Sequence, residues 1–190
     1  PLLQLWKDAE AAGDRRFPHE YLYDLLLHGE LEFDSDPKDS WLMAAADANL
    51  PIFVPGWEDS TLGNILVSRV IDCTIQSADI VKSGLFAMQS LADWYREDDS
   101  PTGILQVGGG IAGDFAICVV PMLRQDVGQD VPLWAWFGQI SESRPSYGGY
   151  SGAPPNEKIS WGKIGLETPR FVIESDATIV LPLILASLEN

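Results

Sequence analysis

Hydrophobic residues along this chain recur either at helical spacing or in short continuous runs. The helical spacing predicts helices over residues 2–12, 19–27, 40–46, 66–71 and 78–96. Short apolar runs predict buried strands over residues 49–54, 102–107, 132–140 and 171–173. A helix-like segment follows the second strand, and a nearly all-apolar helix, expected to be buried against the sheet, follows the fourth. This alternation predicts a three-layer α/β fold with a mostly parallel sheet.

The net charge and the length of the apolar runs exclude some classes of binding partner. The 190 residues carry a formal net charge of −16, which argues against nucleic acid and would suit a cationic small molecule such as a polyamine. Many proteins are acidic only because net charge keeps them soluble. The charge of this chain is therefore compatible with a polyamine partner but does not predict one. The longest apolar run, 178–186, is interrupted by Pro182 and is too short to cross a bilayer, so we expect no membrane.

Cysteine and histidine are too sparse to predict a disulfide framework or a metal site. Cys73 and Cys118 lie in apolar surroundings and are expected in the core, with a reducing cytoplasm as the compartment. His19 and His28 have no metal-ligand spacing, so no metal is expected.

Two glycine-containing segments could carry chemistry. Gly108, Gly109 and Gly110 follow a predicted strand and precede a helix, which suits either a ligand phosphate or an ordinary tight turn. The segment 147–163, YGGYSGAPPNEKISWGK, begins as a flexible loop and ends on Lys163, two residues after Trp161. The residues alone are compatible with a surface loop and a solvated lysine.

The segment NEKISWGK, with SGAPP before it and ESDATIVLPL after it, resembles the active-site region of deoxyhypusine synthases. The stretches DANLPIFVPGWEDSTLGN and LQVGGGIAGDF extend the resemblance in the family's order. The resemblance implies a Rossmann-like fold that binds NAD, and a homotetramer with active sites between subunits. The implied reaction is NAD-dependent transfer of an aminobutyl group from spermidine to an amine, through an imine on a lysine that Lys163 matches.

The resemblance also implies roles for other residues. Glu157 matches an acid that holds a substrate amine, and Trp161 would offer its face to the alkyl chain or ammonium. The resemblance also places Gly148 and Gly149 in a loop that contacts the substrate. The implied NAD-binding residues are Asp59, Gly109, Glu142, Ser143, Asp176 and Ala177.

Three substrate-pocket positions depart from the eukaryotic enzymes. Asn64 replaces an aspartate, Asp114 replaces a histidine, and Tyr150 replaces an aspartate. We therefore expect a different amine donor or acceptor, such as putrescine in a homospermidine synthase-like reaction, or an agmatine-type substrate. Modification of a translation-factor lysine and a non-catalytic polyamine-binding subunit remain the alternatives.

The match starts in the middle of family members. We therefore interpret residues 1–190 as the C-terminal part of one NAD-binding catalytic domain whose N-terminal half is absent or is a separate chain. The isolated residues are expected to bind NAD weakly.

Overall fold

The computed structural model describes residues 1–29, 31–97 and 99–188. These residues divide into two compact units, Pro1–Gln89 and Ser90–Asn190, and the division falls within one helix. Each unit is described by itself.

The first unit is helical. It contains α1 (Leu2–Ala12), α2 (Pro18–His28), α3 (Trp41–Asp47), α4 (Thr61–Ile71) and the start of α5 (Gly84–Arg96). Its main core gathers Trp6, Tyr21, Leu66 and Ile75. Ser40 and Ser60 cap α3 and α4 by accepting hydrogen bonds from backbone N–H groups. The helices expected from periodicity in this unit are confirmed, except over 78–96.

Two expectations for the first unit are wrong. Residues 49–54 form no strand, because Asn49 takes a left-handed φ of 48° and Leu50 closes the end of α3 through a hydrogen bond to Ala45. The long helix over 78–96 is interrupted, because residues 80–82 pair in extended form with Arg16 before α5 begins. The apolar spacing over 78–96 also suggested a buried face, but three of its large apolar residues are exposed: Leu85, Phe86 and Trp94.

The second unit contains a parallel sheet of three strands in the order β1 (Gly103–Val107), β2 (Trp136–Ile140) and β3 (Arg170–Ile173). Gly103 pairs with Trp136, and Phe137 pairs with Arg170. The central strand β2 is almost entirely buried, as its continuous apolar character predicts.

Helices and turns connect these strands. After β1 come α6 (Ile111–Ile117), α7 (Val119–Pro121) and a π-helical turn (Met122–Asp126). After β2 come two short 3-10 turns and then α8 (Pro155–Ser160). After β3 comes α9 (Ala177–Leu188). The α/β class with a parallel sheet is confirmed.

The burial expected for the last helix is wrong. No residue of α9 is buried, and Leu183 is 68% exposed. Half-buried positions recur at helical spacing, at Ala177, Val180, Leu181 and Ile184, so the helix has one partly covered face and one exposed apolar face.

Cys73 is also exposed rather than in the core, since it occupies a turn with a φ of 61°, whereas Cys118 is half-buried. Among the described helices, none is long and apolar enough to cross a membrane.

Candidate active site

Lys163 is held in place by the end of α8. Gly162 takes a left-handed φ of 70°, a conformation that glycine adopts without strain, and turns the chain back. The backbone N–H of Lys163 then donates to the carbonyl of Lys158, and its own carbonyl accepts from Trp134, just before β2. Lys163 is 7% exposed, so it is a buried lysine and not a solvated lysine on a surface loop.

The ammonium of Lys163 is paired with Asp114. Its Nζ lies 3.1 Å from Asp114 Oδ1, and this oxygen also accepts from Cys118 Sγ at 3.3 Å. Asp114 lies on α6 and Cys118 directly follows that helix, four residues later, so the end of α6 brings the thiol to the carboxylate that pairs with Lys163. Burial, followed by the hydrogen bond to Asp114, raises the pKa of the Cys118 thiol, which is therefore protonated at neutral pH.

Tyr150 covers the same lysine. Its ring centroid lies 5.2 Å from Lys163 Nζ, within cation–π range, and its hydroxyl donates to Gln106 Oε1 at 2.9 Å. Burial, with smaller contributions from Asp114 and Cys118, raises the pKa of this phenol, so it stays protonated and remains a donor. Trp161, expected to provide an aromatic face, is 64% exposed at the rim of the same cavity.

These residues surround one cavity of about 430 Å³. Its lining includes seven residues assigned by sequence to the lysine or substrate site: Asp114, Gly148, Gly149, Tyr150, Glu157, Trp161 and Lys163. The cavity therefore combines two carboxylates, a buried lysine and two aromatic rings, a set that can bind and react with a small cationic amine.

The cavity is also lined by a second lysine, Lys158, for which the sequence predicted no role. Lys158 is 2% exposed, donates to the carbonyl of Ala153 at 3.0 Å, and lies over the rings of Phe137 and Tyr150 at 5.0 and 5.1 Å. Burial, and then the charge of Lys163, lowers the pKa of Lys158.

A helical reading of residues 154–161 would have found Lys158. Pro154, Glu157, Lys158 and Trp161 follow an i, i+3, i+4, i+7 pattern, and all four line the cavity. The prolines obscured this pattern, although proline is well suited to the first helical turn.

Most of the expected cofactor residues lie at the carboxyl ends of the three strands. Gly109 follows β1, Glu142 and Ser143 follow β2, and Asp176 and Ala177 follow β3. Since neighbouring parallel strands end at one edge, these residues share the edge at which open α/β sheets bind ligands.

The chemistry of this edge is compatible with a dinucleotide. Asp176 is exposed and accepts hydrogen bonds from the hydroxyl and backbone N–H of Thr178, which lower the pKa of its carboxyl. It is therefore an ionised acceptor of the kind that holds ribose hydroxyls. Glu142 is exposed and Ser143 is half-buried beside it, so their polar groups are also accessible to a ligand.

The glycine turn at this edge is shaped by the protein's own loop. A Cβ at Gly109 would lie 2.1 Å from Oγ of Ser151, so only glycine fits. Ser151 Oγ accepts from the backbone N–H of Gly110 at 2.8 Å, and its carbonyl accepts from Gln139 Nε2 at 2.9 Å. The buried glutamines Gln106 and Gln139 thus fix the loop that carries Tyr150 to β1 and β2, a role the sequence analysis did not assign.

Asp59 and Asn64 lie in the first unit, Asp59 in a 3-10 turn and Asn64 on α4, and both are exposed. Their assignments to the cofactor and the substrate stay predictions.

Comparison with known proteins identifies the family. Residues 23–188 match the family model described as deoxyhypusine synthase. The chain is 31% identical to "Probable deoxyhypusine synthase 2" of Methanosarcina mazei, over 90% of this chain and 47% of that protein. It is 35% identical to "Probable deoxyhypusine synthase" of Aeropyrum pernix, over 86% of this chain and 48% of that protein.

A cyanobacterial relative is also similar. The "Deoxyhypusine synthase-like protein" of Nostoc punctiforme is 29% identical over 85% of this chain and 42% of that protein. The chain thus spans about half the length of the curated relatives it matches. By its sequence and by the motif that carries Lys163, the chain belongs to the deoxyhypusine synthase family.

Proposed function

We propose that this chain carries the lysine site of an NAD-dependent transferase that moves an aminobutyl group from a polyamine such as spermidine to a small amine acceptor. The observation that carries the proposal is the buried Lys163, paired with Asp114 at 3.1 Å in a cavity that Glu157 and Trp161 also line. Family membership supports the transfer chemistry, and the replaced pocket residues favour a small acceptor such as putrescine.

In this proposal Lys163 is the nucleophile. Its neutral amine attacks the iminium carbon of the oxidised donor, a new C–N bond forms, and the bond to the nitrogen of diaminopropane breaks. One proton passes from Nζ to the departing amine, and the acceptor amine then attacks the protonated imine left on Lys163 and releases the lysine. Attack needs a free lone pair on Nζ, so the 3.1 Å contact with Asp114 has to be released when substrate binds.

Other cavity residues bind and orient the donor. Glu157 holds a substrate ammonium by charge, since its carboxylate lines the cavity and pairs with no cation among the described residues. Trp161 covers the alkyl chain at the rim, and Gly148 and Gly149 let the backbone approach it. Tyr150 keeps Lys163 and the donor away from water.

NAD would be held by Asp176, Ala177, Glu142, Ser143 and Gly109 at the carboxyl edge of the sheet, with Asp59 as a further contact. When bound, it supplies the acceptor for a hydride from the carbon beside the donor's secondary amine, and the source of the hydride that completes the transfer. The adjoining Ser151 and Tyr150 connect this edge to the lysine cavity through the loop they share.

The proposal extends to the whole protein. We infer a three-layer Rossmann-like domain, completed by an N-terminal half that is part of the same chain or a partner, in a cytoplasmic homotetramer. The carboxyl-edge position of the expected cofactor residues supports the Rossmann-like arrangement.

Borohydride trapping tests the proposal. The native protein, with any chain that copurifies, is incubated with NAD and spermidine, putrescine or agmatine, then reduced and weighed intact by mass spectrometry. An aminobutyl mass increase that requires both NAD and the donor, and is absent in Lys163→Ala, is expected. A protein that binds NAD and amines but yields no adduct would favour the polyamine-binding alternative.

A further inference from the structure

We infer that Lys158 fills an ammonium-binding subsite of the amine cavity with its own side chain, and so limits the length and charge of the amine that the cavity accepts. This inference rests on the proposed function. It concerns a residue that the proposed reaction does not use.

The surroundings of Lys158 Nζ are those of a bound ammonium ion. The carbonyl oxygen of Ala153 accepts from it at 3.0 Å, and the rings of Phe137 and Tyr150 lie 5.0 and 5.1 Å away. One carbonyl and two aromatic faces are the groups that proteins use to bind alkylammonium ligands. Here the ligand is a side chain of the chain itself.

The burial of Lys158 is not needed to fill space. Removing an ammonium from water is costly unless it is paired, and among the described residues no carboxylate forms an ion pair with Lys158. An apolar side chain of similar length would occupy the same volume without that cost. The retained amine therefore points to a role in what the cavity binds.

The subsite and the reactive lysine belong to one cavity. Lys158 and Lys163 both line it, and both approach the ring of Tyr150, at 5.1 and 5.2 Å. Because both nitrogens lie this close to the same ring centroid, they are at most about 10 Å apart. That is about one Debye length in 0.1 M salt, so salt does not fully screen the two charges from each other. A substrate ammonium entering this part of the cavity would meet a positive charge and an occupied cage.

The consequence is a limit on the substrate. An amine that reacts at Lys163 keeps its second ammonium near Glu157, at the accessible side, and cannot extend into the cage between Phe137 and Tyr150. Shortening Lys158 should open this cage to the far end of a longer diamine.

Binding constants for matched amines test the inference. The dissociation constants of n-pentylamine and 1,5-diaminopentane are measured by calorimetry on the native protein and on Lys158→Ala, Lys158→Met and Lys82→Ala. Lys82 is the matched control, because its ammonium also lies over an aromatic ring, that of Phe17, at 4.3 Å, but in the first unit. The ratio of the monoamine constant to the diamine constant isolates the contribution of the second ammonium.

We expect Lys158→Ala to raise this ratio about tenfold, because a diamine ammonium replaces the lost lysine head in the cage. Lys158→Met removes the charge but still fills the space, so a rise of about threefold is expected. Lys82→Ala should leave the ratio unchanged. Proper folding of each variant is checked by its thermal transition.

An unchanged ratio in a folded Lys158→Ala protein would overturn the inference and leave the proposed function intact. If Lys158→Ala does not fold, the Met variant decides, and an unchanged ratio there has the same meaning. A wild-type protein that binds neither amine, and no polyamine, would overturn both the inference and the proposed function.

Discussion

The two units of the chain bury different kinds of residue. The main core of the first unit is built from Trp6, Tyr21, Leu66 and Ile75, and the hydroxyl of Tyr21 donates to a backbone carbonyl. Within the described residues, and leaving aside tyrosine and tryptophan, the buried polar and charged side chains all belong to the second unit: Gln106, Gln139, Ser141, Lys158 and Lys163.

Because of this difference, we expect the first unit to contribute mainly to stability and the second unit to contribute the chemistry. A buried polar group costs about 1–3 kcal/mol when it is left without a partner, so each one requires a dedicated contact. In the second unit these contacts converge on one cavity and on the loop that closes it. We therefore expect core substitutions in the first unit to change mainly stability, and polar substitutions around the cavity to change mainly activity.

The largest effect is expected at the reactive lysine. Lys163→Ala should lower the rate of aminobutyl transfer by about a thousandfold or more, because in the proposed reaction Lys163 carries the imine. Turnover is measured from labelled spermidine, with the folded state checked by circular dichroism. Lys82→Ala, a substitution outside the cavity, serves as the matched control and should retain its rate. Comparable residual rates in the two variants would rule out Lys163 as the nucleophile.

The largest effect on stability is expected in the first unit. Trp6→Ala removes a side chain that is 2% exposed and should lower the free energy of unfolding by about 3–5 kcal/mol. Urea unfolding measures this loss. Trp161→Ala removes an exposed tryptophan and should cost less than about 0.5 kcal/mol. Similar costs for both would contradict the described burial.

An intermediate effect on activity is expected at the ion-pair partner. Asp114→Asn keeps the shape of the side chain but removes the ion pair that positions Lys163 Nζ before attack, so the misplaced amine should lower kcat/KM for the donor about ten- to a hundredfold. Both constants are measured with labelled spermidine on folded protein. A kcat/KM equal to that of the wild type would show that the Asp114 contact does not contribute to the reaction.

A smaller effect on stability is expected from the phenol that fixes the loop. Tyr150→Phe keeps the ring over Lys163 but removes the hydroxyl that donates to Gln106. The buried Gln106 oxygen loses a donor, so the free energy of unfolding should fall by about 1 kcal/mol. Urea unfolding at neutral pH, where this phenol is protonated, checks the value. Tyr150→Leu, which also removes the ring, should cost more.

The smallest effect concerns pH. Burial lowers the pKa of folded Lys158 below its usual 10.5, so in the pH range between these two values the unfolded chain binds more protons than the folded one. Stability attributable to this group therefore rises with pH up to 10.5. Lys158→Met lacks this dependence, so the free energy of unfolding of the wild type should increase relative to the variant as pH rises. A constant or decreasing difference would contradict a buried, desolvated Lys158.

Part of the fold followed from local pattern. Helices such as α1 and α3, with a terminal glycine or a capping serine, and the apolar run of β2 were predictable because periodicity and capping agree there. The break before α5 was not, since it depends on a pairing of residues 80–82 with Arg16, far away in sequence. The exposure of α9 was also not predictable, because an apolar sequence does not show whether another element packs against it.

The site was predictable where a motif identified it. Lys163, Glu157 and Trp161 came from one motif, and the structure brings them to one cavity with Asp114 and Tyr150. The helical pattern that includes Lys158 was obscured by prolines, and the rings that surround its ammonium, from β2 and from the loop that carries Tyr150, come together only in the fold. Gln106 and Gln139 were missed because this same loop reaches them only in the fold.

Localising the trapped adduct tests the central claim most directly. After reaction with NAD and spermidine and reduction with borohydride, cleavage after glutamate yields a peptide of residues 158–167 that holds both cavity lysines. Fragmentation by tandem mass spectrometry assigns the added mass to one of them. The account predicts the aminobutyl group on Lys163 and none on Lys158. An adduct on Lys158, with Lys163 unmodified, would contradict it.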